Sequence, residues 1–307
     1  MPMQSINHSP PYELELLTYL QHRTNLLPPQ KTQFYNLQKG YEGELRMLEV
    51  LKKQLSPNYL LLNNLLLSAN NNEFQIDFLL IGKETIYPLE VKNNNDDFYI
   101  QNDSWYVLSS GKEIRNPLHQ LKRSEILLGN FLQQSNFHFS IEPYAIFINP
   151  EFHLYNAPLD APIIFPTQVN RFIDKLNAVT FNLGQHHSDL ANHFISNKLN
   201  RSSNEKLPEY EYEELRKGII CTNCSSIFSP IPYRRLICKT CGAIEDVDLA
   251  LKRSIIEFVK LFPHKKITTS HIQHWCGDII SKKTIRRILA RNMRMIKKGR
   301  HTYYVFK

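Results

Sequence analysis

Nowhere in the 307 residues is there an apolar run approaching the ~20 residues that a bilayer-spanning helix needs, so no membrane span is expected. The N-terminal stretch "MPMQSINHSPPYELELL" lacks a basic segment followed by an apolar one. A secretory leader is therefore not expected, and the expected compartment is the cytoplasm. There is no internal repeat, and no low-complexity run beyond the short "NNLLLSANNNE". Acidic residues are scarce at one end. From Leu251 to Lys307 there are 15 Lys and Arg against only Glu257 and Asp278, although the whole chain carries a net charge of just +8. The other 250 residues are net acidic. The positive charge is thus concentrated in one small C-terminal unit, either a solvated basic tail or an electrostatic footprint for nucleic acid.

A hydrophobic content of 42%, with 11% aromatic residues, is ample for packed cores and excludes wholesale disorder. The length suits about two or three domains. An amphipathic patch at "PYELELLTYLQHR" ends at a break expected at Pro28-Pro29. A helix is predicted at "GYEGELRMLEVLKKQL", where Leu45, Leu48, Leu51 and Leu55 recur at helical spacing and Glu44 falls on the apolar side. An acid on such a stripe is unusual. Strands are predicted at "YLLLNNL", "FQIDFLLIG", "TIYPLEVK", "DFYI" and "SWYVLSS". A second helix follows, "NPLHQLKRSEILLGNFLQQ", started by Asn116-Pro117, and then a buried strand, "EPYAIFI". Helix, strands, helix and strand in this order predict an α/β fold with a mixed sheet.

Within it, "YPLEVKNN" places Glu90 and Lys92 on one strand face, since side chains alternate with period two. Alone, that is no more than a same-face ion pair worth under ~1 kcal/mol. "FQIDFLLIG" adds Asp77 to an otherwise apolar strand, with Gln75 and Leu79 expected on its face and Phe74, Ile76, Phe78 and Leu80 opposite. A turn at Gly82-Lys83 would fold the two strands into an antiparallel hairpin that gathers Asp77, Glu90 and Lys92 at one end. Two carboxylates there suit a hard divalent cation, Mg²⁺ or Mn²⁺, completed by phosphate and waters. The lysine would activate or orient the attacking water, or stabilise transition-state charge. Glu44 would ligate directly or through water.

"GYEGE", "FQIDFLLI", "LEVK" and "NPLHQ", in that order, resemble the NERD (nuclease-related) domain, a branch of the PD-(D/E)XK nuclease superfamily. The resemblance implies that superfamily's mixed sheet flanked by helices and a metal-dependent nuclease acting on DNA, with RNA left open. It carries Asp77, Glu90 and Lys92 onto the acid-acid-lysine triad, Glu44 onto the helix-borne acid and Gln120 onto the second-helix glutamine. The family's "PD" stands here as Ile76-Asp77. The reading from a different class is a non-catalytic DNA-binding or regulatory protein that grips nucleic acid with the same domain.

Cys221, Cys224, Cys238 and Cys241 form C-x2-C-x13-C-x2-C, the pattern of a closed structural Zn²⁺ ribbon. "PYRR" between the knuckles suits phosphate. The fifth cysteine, Cys276, reads as a small buried residue near a helix end. Beyond them, "ALKRSIIEFVKLF", "TTSHIQHWCG" and "SKKTIRRILARN" predict three helices, followed by a hairpin turning at Lys298-Gly299-Arg300. This order resembles a winged helix-turn-helix. In the third helix Ser281 is placed to cap, and Ile285, Ile288 and Leu289 form the apolar stripe. Lys282, Lys283, Arg286, Arg287 and Arg291 take the other side, and Lys297, Lys298 and Arg300 the wing. Arg286 and Arg287 are expected to read bases and the lysines to contact phosphate. The expected segments are 1–39 (helical), 40–150 (nuclease-like), 151–216 (helical region and linker), 217–247 (ribbon) and 248–307 (winged helix).

Overall fold

A computed structural model describes residues 8–203, 205, 207–298 and 301–306, and of Lys298 and His301 the backbone alone. No helix among them is long and apolar enough to cross a membrane. The chain divides into two compact units: residues up to Pro11 with Tyr35–Glu205, and Tyr12–Phe34 with Lys206–Lys307.

In chain order the first elements are helices α1 (Tyr12–Leu20) and α2 (Pro28–Gln54), then strands β1 (Leu60–Ala69), β2 (Asn72–Ile81) and β3 (Thr85–Lys92). Pro28-Pro29 does not merely interrupt the chain but starts α2. Proline has no N–H to lose in a first turn and brings a helical φ, so the helix begins well before the expected "GYEGE". Its buried residues are Gly43, Met47, Leu48 and Leu51, while Leu45 and Leu55 are only half-buried. Gly43 is required where it stands, because a Cβ there would lie 2.6 Å from the Cβ of Asn93, just after β3.

The remaining elements of the first unit are β4 (Asp97–Gln101), β5 (Ser104–Val107), β6 (Glu113–Ile114), α3 (Pro117–Gln134), β7 (Ser140–Ile141), β8 (Tyr144–Phe147), β9 (His153–Tyr155), β10 (Ile163–Ile164), α4 (Val169–Asn177) and α5 (Gln185–Ser196). A mixed sheet runs β1-β2-β3-β8-β10, with β7 also on β3. β1, β2 and β3 pair antiparallel; β3-β8 and β8-β10 pair parallel. Met47, Leu48 and Leu51 of α2 and Phe172, Ile173 and Leu176 of α4 pack with Phe78, Leu80, Leu89 and Val91. Leu128, Phe131 and Leu132 of α3 and Leu190 and Phe194 of α5 pack with Ile76, Leu79 and Ile81. The sheet is therefore flanked by helices on both faces, the layering expected of an α/β core. A separate four-stranded sheet, β6-β5-β4-β9, was not anticipated from the sequence. Its strands are two to five residues long, and its aromatic core centres on Phe98, Trp105, Phe147 and Phe152.

The expected alternation along β2 needs one correction. Phe74 and Ile76 share a core with Leu79 and Ile81, whereas Phe78 and Leu80 pack in the other. The two-residue period slips at Asp77. Opposite it, β1 slips at Asn64, which has a φ of +48°, and the ladder skips the pair from Asn63↔Phe78 to Leu65↔Ile76. Asparagine tolerates that left-handed conformation better than a β-branched residue would.

The second unit contains α1, β11 (Ser229–Ile231), β12 (Arg235–Ile237) and β13 (Ile244–Asp246), then α6 (Val247–Leu261), α7 (Thr269–Trp275), α8 (Lys282–Asn292), β14 (Met293–Lys298) and β15 (His301–Phe306). What ties the N-terminal segment into it is Arg23, 2% exposed. Its guanidinium donates to both carboxylate oxygens of Glu257 on α6, at 2.9 and 2.6 Å, and to the carbonyls of Arg216 and Gly218, both at 2.7 Å. It also lies 4.1 Å from the Trp275 ring centroid. A buried guanidinium is tolerated because its donors are spent on a bidentate carboxylate and on carbonyls.

Candidate active site and cysteine cluster

Asp77 lies at the slip in β2, where the β2–β3 ladder has reached Phe78↔Leu89. Its Oδ2 accepts the backbone N–H of Val91 at 2.8 Å, a donor that would otherwise be unpaired in the core. Asp77 and Glu90 are buried, 8% and 6% exposed, so neither is a surface carboxylate. Lys92 Nζ donates to Glu90 Oε1 at 2.7 Å and to Gln120 Oε1 at 3.2 Å, and Gln120 Nε2 donates to the same Glu90 oxygen at 2.6 Å. Glu90, Lys92 and Gln120 thus close a triangle between β3 and the first turns of α3. That helix is started as expected by Asn116, whose Oδ1 accepts from Leu118 N at 2.9 Å.

Burial pushes the Asp77 carboxyl well above the usual carboxylate range. The charges of Glu90 and Glu44 push the same way, against the Val91 amide and the Lys92 ammonium. Glu44 on α2 thus acts on Asp77 through its charge, whereas Glu90, Lys92 and Gln120 are joined by hydrogen bonds. Among the described residues Asp77 Oδ1 and Glu90 Oε2 make no hydrogen bond. Two free carboxylate oxygens beside an excess of negative charge suit a hard cation that keeps several waters.

Sequence reasoning passed over His8, Asn63 and Asn93. His8 Nε2 lies 3.0 Å from Glu44 Oε2, while Asn63 Nδ2 lies 2.7 Å from His8 Nδ1. The ring stacks on Tyr41 with centroids 5.2 Å apart. Asn93 Nδ2 donates to Lys39 O at 2.7 Å, fastening α2 to the end of β3 beside Lys92. Nothing in local spacing marks these three, because each acts through a partner distant in sequence.

In the second unit the four cysteine Sγ atoms lie within 4.8 Å of one another. The two knuckles share one hydrogen-bond pattern. Ser225 N donates to Cys221 O at 3.0 Å and Cys221 N to Ser226 O at 2.7 Å; Gly242 N donates to Cys238 O at 2.8 Å and Cys238 N to Ala243 O at 2.8 Å. Backbone N–H of Cys241, with further hydrogen bonds from Cys224 and Thr240, lowers the Cys238 thiol to about 6. Tetrahedral Zn–S bonds of ~2.3 Å place sulfurs roughly 3.8 Å apart; Cys221 and Cys241 are at 3.7 Å, Cys224 and Cys238 at 3.3 Å. The cluster fits a zinc ribbon. Among the described residues it is the one group of three or more metal-ligand side chains drawn together. Cys276 is buried at the end of α7, its thiol pushed up to about 12 by burial.

On α8, Ser281 caps by accepting from Thr284 N, and Ile285, Ile288 and Leu289 are buried. Lys282, Lys283, Arg286, Arg287, Arg291 and Lys297 are exposed. The side chain of Lys298, and Arg300 with its turn, lie outside the described residues. No acid on α8 balances the cations, but α6 supplies one: Asp248 accepts from Arg287 at 2.9 and 3.2 Å and also pairs with Arg234. One carboxylate thus engages the expected base reader Arg287 and one arginine of "PYRR". Lys282, Lys283, Arg286 and Lys297 have no ion-pair partner among the described residues.

No curated protein and no solved structure is found to match the chain. Residues 39–148 match the family model described as nuclease-related domain, NERD, a span that holds Glu44, Asp77, Glu90, Lys92 and Gln120. Those residues are a nuclease-related domain, built here on a mixed sheet flanked by helices.

Proposed function

We propose that the nuclease-related domain hydrolyses DNA phosphodiester bonds with Mg²⁺ or Mn²⁺ held by Asp77 and Glu90. The observation that carries this reading is a pair of buried carboxylates, Asp77 and Glu90, the second held by Lys92 and Gln120, with burial and the charges of Glu90 and Glu44 pushing the Asp77 carboxyl up. Besides accepting the Val91 N–H, Asp77 suits a cation that offsets the negative charge gathered around it. When bound, the cation supplies Lewis acidity to a phosphoryl oxygen and makes a bound water a better nucleophile. Asp77 offers Oδ1 and Glu90 offers Oε2. Glu44, 3.0 Å from His8 Nε2, would hold a water beside the cation. Gln120 and Glu90 fix the Lys92 ammonium so that it donates to the attacking water or to charge developing on phosphorus.

The test is plasmid nicking with Mg²⁺ or Mn²⁺ against an EDTA control, with an RNA of matched length alongside. Metal-dependent cutting of DNA is the expected result. A chain that binds both polymers and cuts neither would be a non-catalytic nucleic-acid binder, and cutting confined to RNA would reassign the substrate.

The winged-helix reading of α6 to β15 rests on three helices followed by an antiparallel hairpin, Met293↔Phe306 to Lys298↔His301. An exposed cationic face on the third helix supports contact with DNA. Each phosphate that the protein ceases to neutralise should flatten the log–log dependence of affinity on salt by roughly 0.9. Combined Lys282→Ala, Lys283→Ala and Arg286→Ala should therefore reduce affinity and slope together. Arg287→Ala should do less, since that guanidinium is already engaged by Asp248. An unchanged slope in the triple variant, read by fluorescence anisotropy across a salt series, would make this unit a partner-binding module instead.

A further inference from the structure

Between the two cysteine knuckles the second unit projects a turn, Pro232-Tyr233-Arg234, that joins β11 to β12. Tyr233 at its centre is 94% exposed, and neither its ring nor its hydroxyl has a partner among the described residues. Tyr233 and Arg234 have φ of +63° and +59°. Two successive left-handed positions are ordinarily filled by Gly, Asn or Asp, because a larger side chain crowds its own backbone there. The turn is thus strained, and it holds an aromatic ring in water rather than against a core. Such strain persists only where the surrounding structure imposes it. Here Pro232 fixes the chain at the entry to the turn. Beyond it, Val247 N donates to Arg234 O at 3.0 Å, and the Arg234 guanidinium pairs with Asp248.

The same ion pair places the turn. Asp248 also accepts from Arg287 of α8, at 2.9 and 3.2 Å, so the turn and the cationic face of α8 meet on one carboxylate. The other acids nearby are engaged: Glu245 pairs with Arg253, and Asp246 caps α6 by accepting from Asp248 N. Arg235, exposed and opposite Asp246 in the β12–β13 ladder, has no hydrogen bond or ion pair among the described residues. A free aromatic face edged by such cations matches a nucleic-acid base and its phosphate: the ring stacks, and the guanidinium takes the phosphate. An apolar partner is the poorer match, because the neighbours of the ring along the turn are a proline and two arginines. A base inside a duplex has both faces covered by its stack, whereas an unpaired base has a face to offer. We propose that Tyr233 stacks on the first unpaired base beyond a duplex held by α8, with Arg235 on the adjoining phosphate. The substrate class is therefore DNA with a junction between duplex and single strand, in preference to blunt duplex. The place of the duplex rests on the reading of α8 as a DNA-binding helix; the stack rests on Tyr233.

The experiment uses the full chain and three fluorescent DNAs built on one duplex: blunt, with a single-stranded overhang, and with an overhang of the same length made of abasic residues. The two overhangs carry equal phosphate charge and differ only in bases. Affinity is read by anisotropy across a salt series without added divalent cation. The base-bearing overhang should bind about tenfold more tightly than the abasic one, the scale of one base–aromatic stack. Tyr233→Asn should erase that difference and leave affinity for the abasic overhang and its salt slope unchanged, since no charge is removed. Asparagine accepts the left-handed conformation, so the unfolding temperature of this variant should not fall. Tyr233→Trp should keep the difference. Arg235→Ala should instead weaken both overhangs alike and flatten the salt slope by roughly 0.7, the increment for a single strand. Equal binding of the two overhangs by the wild-type chain would overturn the proposal, as would an undiminished preference in Tyr233→Asn. Blunt duplex bound without any preference for the overhang removes the stack and leaves α8 as a DNA-binding helix. Loss of the preference in Tyr233→Asn, with blunt duplex unbound by the wild type, supports the stack and removes the duplex from α8.

Discussion

Asp77→Asn should abolish metal-dependent cleavage and, at neutral pH, raise the thermal stability of the metal-free protein. The two effects have one cause. Metal stabilisation of transition-state charge is worth several kcal/mol, and each 1.36 kcal/mol is tenfold in rate. Losing a ligand oxygen should thus lower cleavage about 10³-fold. The stability effect follows from the raised folded-state pKa of Asp77. Between the ordinary carboxylate value of the unfolded chain and that raised value, the native protein holds a proton that the unfolded protein has released. Stability therefore falls as pH rises through this window, and the deficit is complete above the folded-state pKa. An amide has no proton to lose and still accepts from Val91 N–H, so it escapes the deficit. The gain should shrink as pH drops toward the unfolded value, where wild-type Asp77 is protonated in both states. Calorimetry with EDTA across pH 4 to 8, beside a nicking assay, checks both halves. Wild-type cleavage by the variant would remove Asp77 from the site, and a lower unfolding temperature at neutral pH would assign it a structural role.

Stripping zinc should unfold the ribbon. Its three strands are three residues each, and apart from the cysteines its buried apolar side chains are Ile219, Ile220, Phe228, Leu236 and Val247. So small a core cannot offset chain entropy without an added constraint. Structural zinc contributes on the order of 10–16 kcal/mol at neutral pH, more than the stability of most whole domains. Metal analysis should find about one zinc per chain. Cys221→Ser or Cys241→Ser should lower that content. The amides of Ser225 and Gly242, which donate to Cys221 and Cys238, should then lose protection from hydrogen exchange. Full protection in chelator-treated protein free of zinc would reject the ribbon.

Much of this site is readable from short stretches. Glu90 and Lys92 share a face because a strand alternates, and from that face both reach Gln120. The knuckles, the Ser281 cap and the buried stripe of α8 are likewise local: each depends on residues within a few positions of one another. Local rules misled at Asp77, where paired slips in β1 and β2 break the alternation, and at Pro28-Pro29, which begins a helix.

The sequence by itself determined the kind of chemistry held along the chain: an acid-acid-lysine set in an α/β frame, four thiolates at zinc spacing and a cationic helix face. Ligand type, strand period and helix period are properties of neighbouring residues, and they survive without knowledge of what packs against them. Only the tertiary structure decided which charges are spent and which are free. His8 is committed to Glu44, Arg23 to Glu257 across 234 residues, and Arg287 to Asp248 across 39. The same holds for a cavity beside Lys92, whose walls come from five strands, a helix and the loops between them. Pair energies and cavities depend on separation and burial in space, and the spacing of residues along a chain does not specify either.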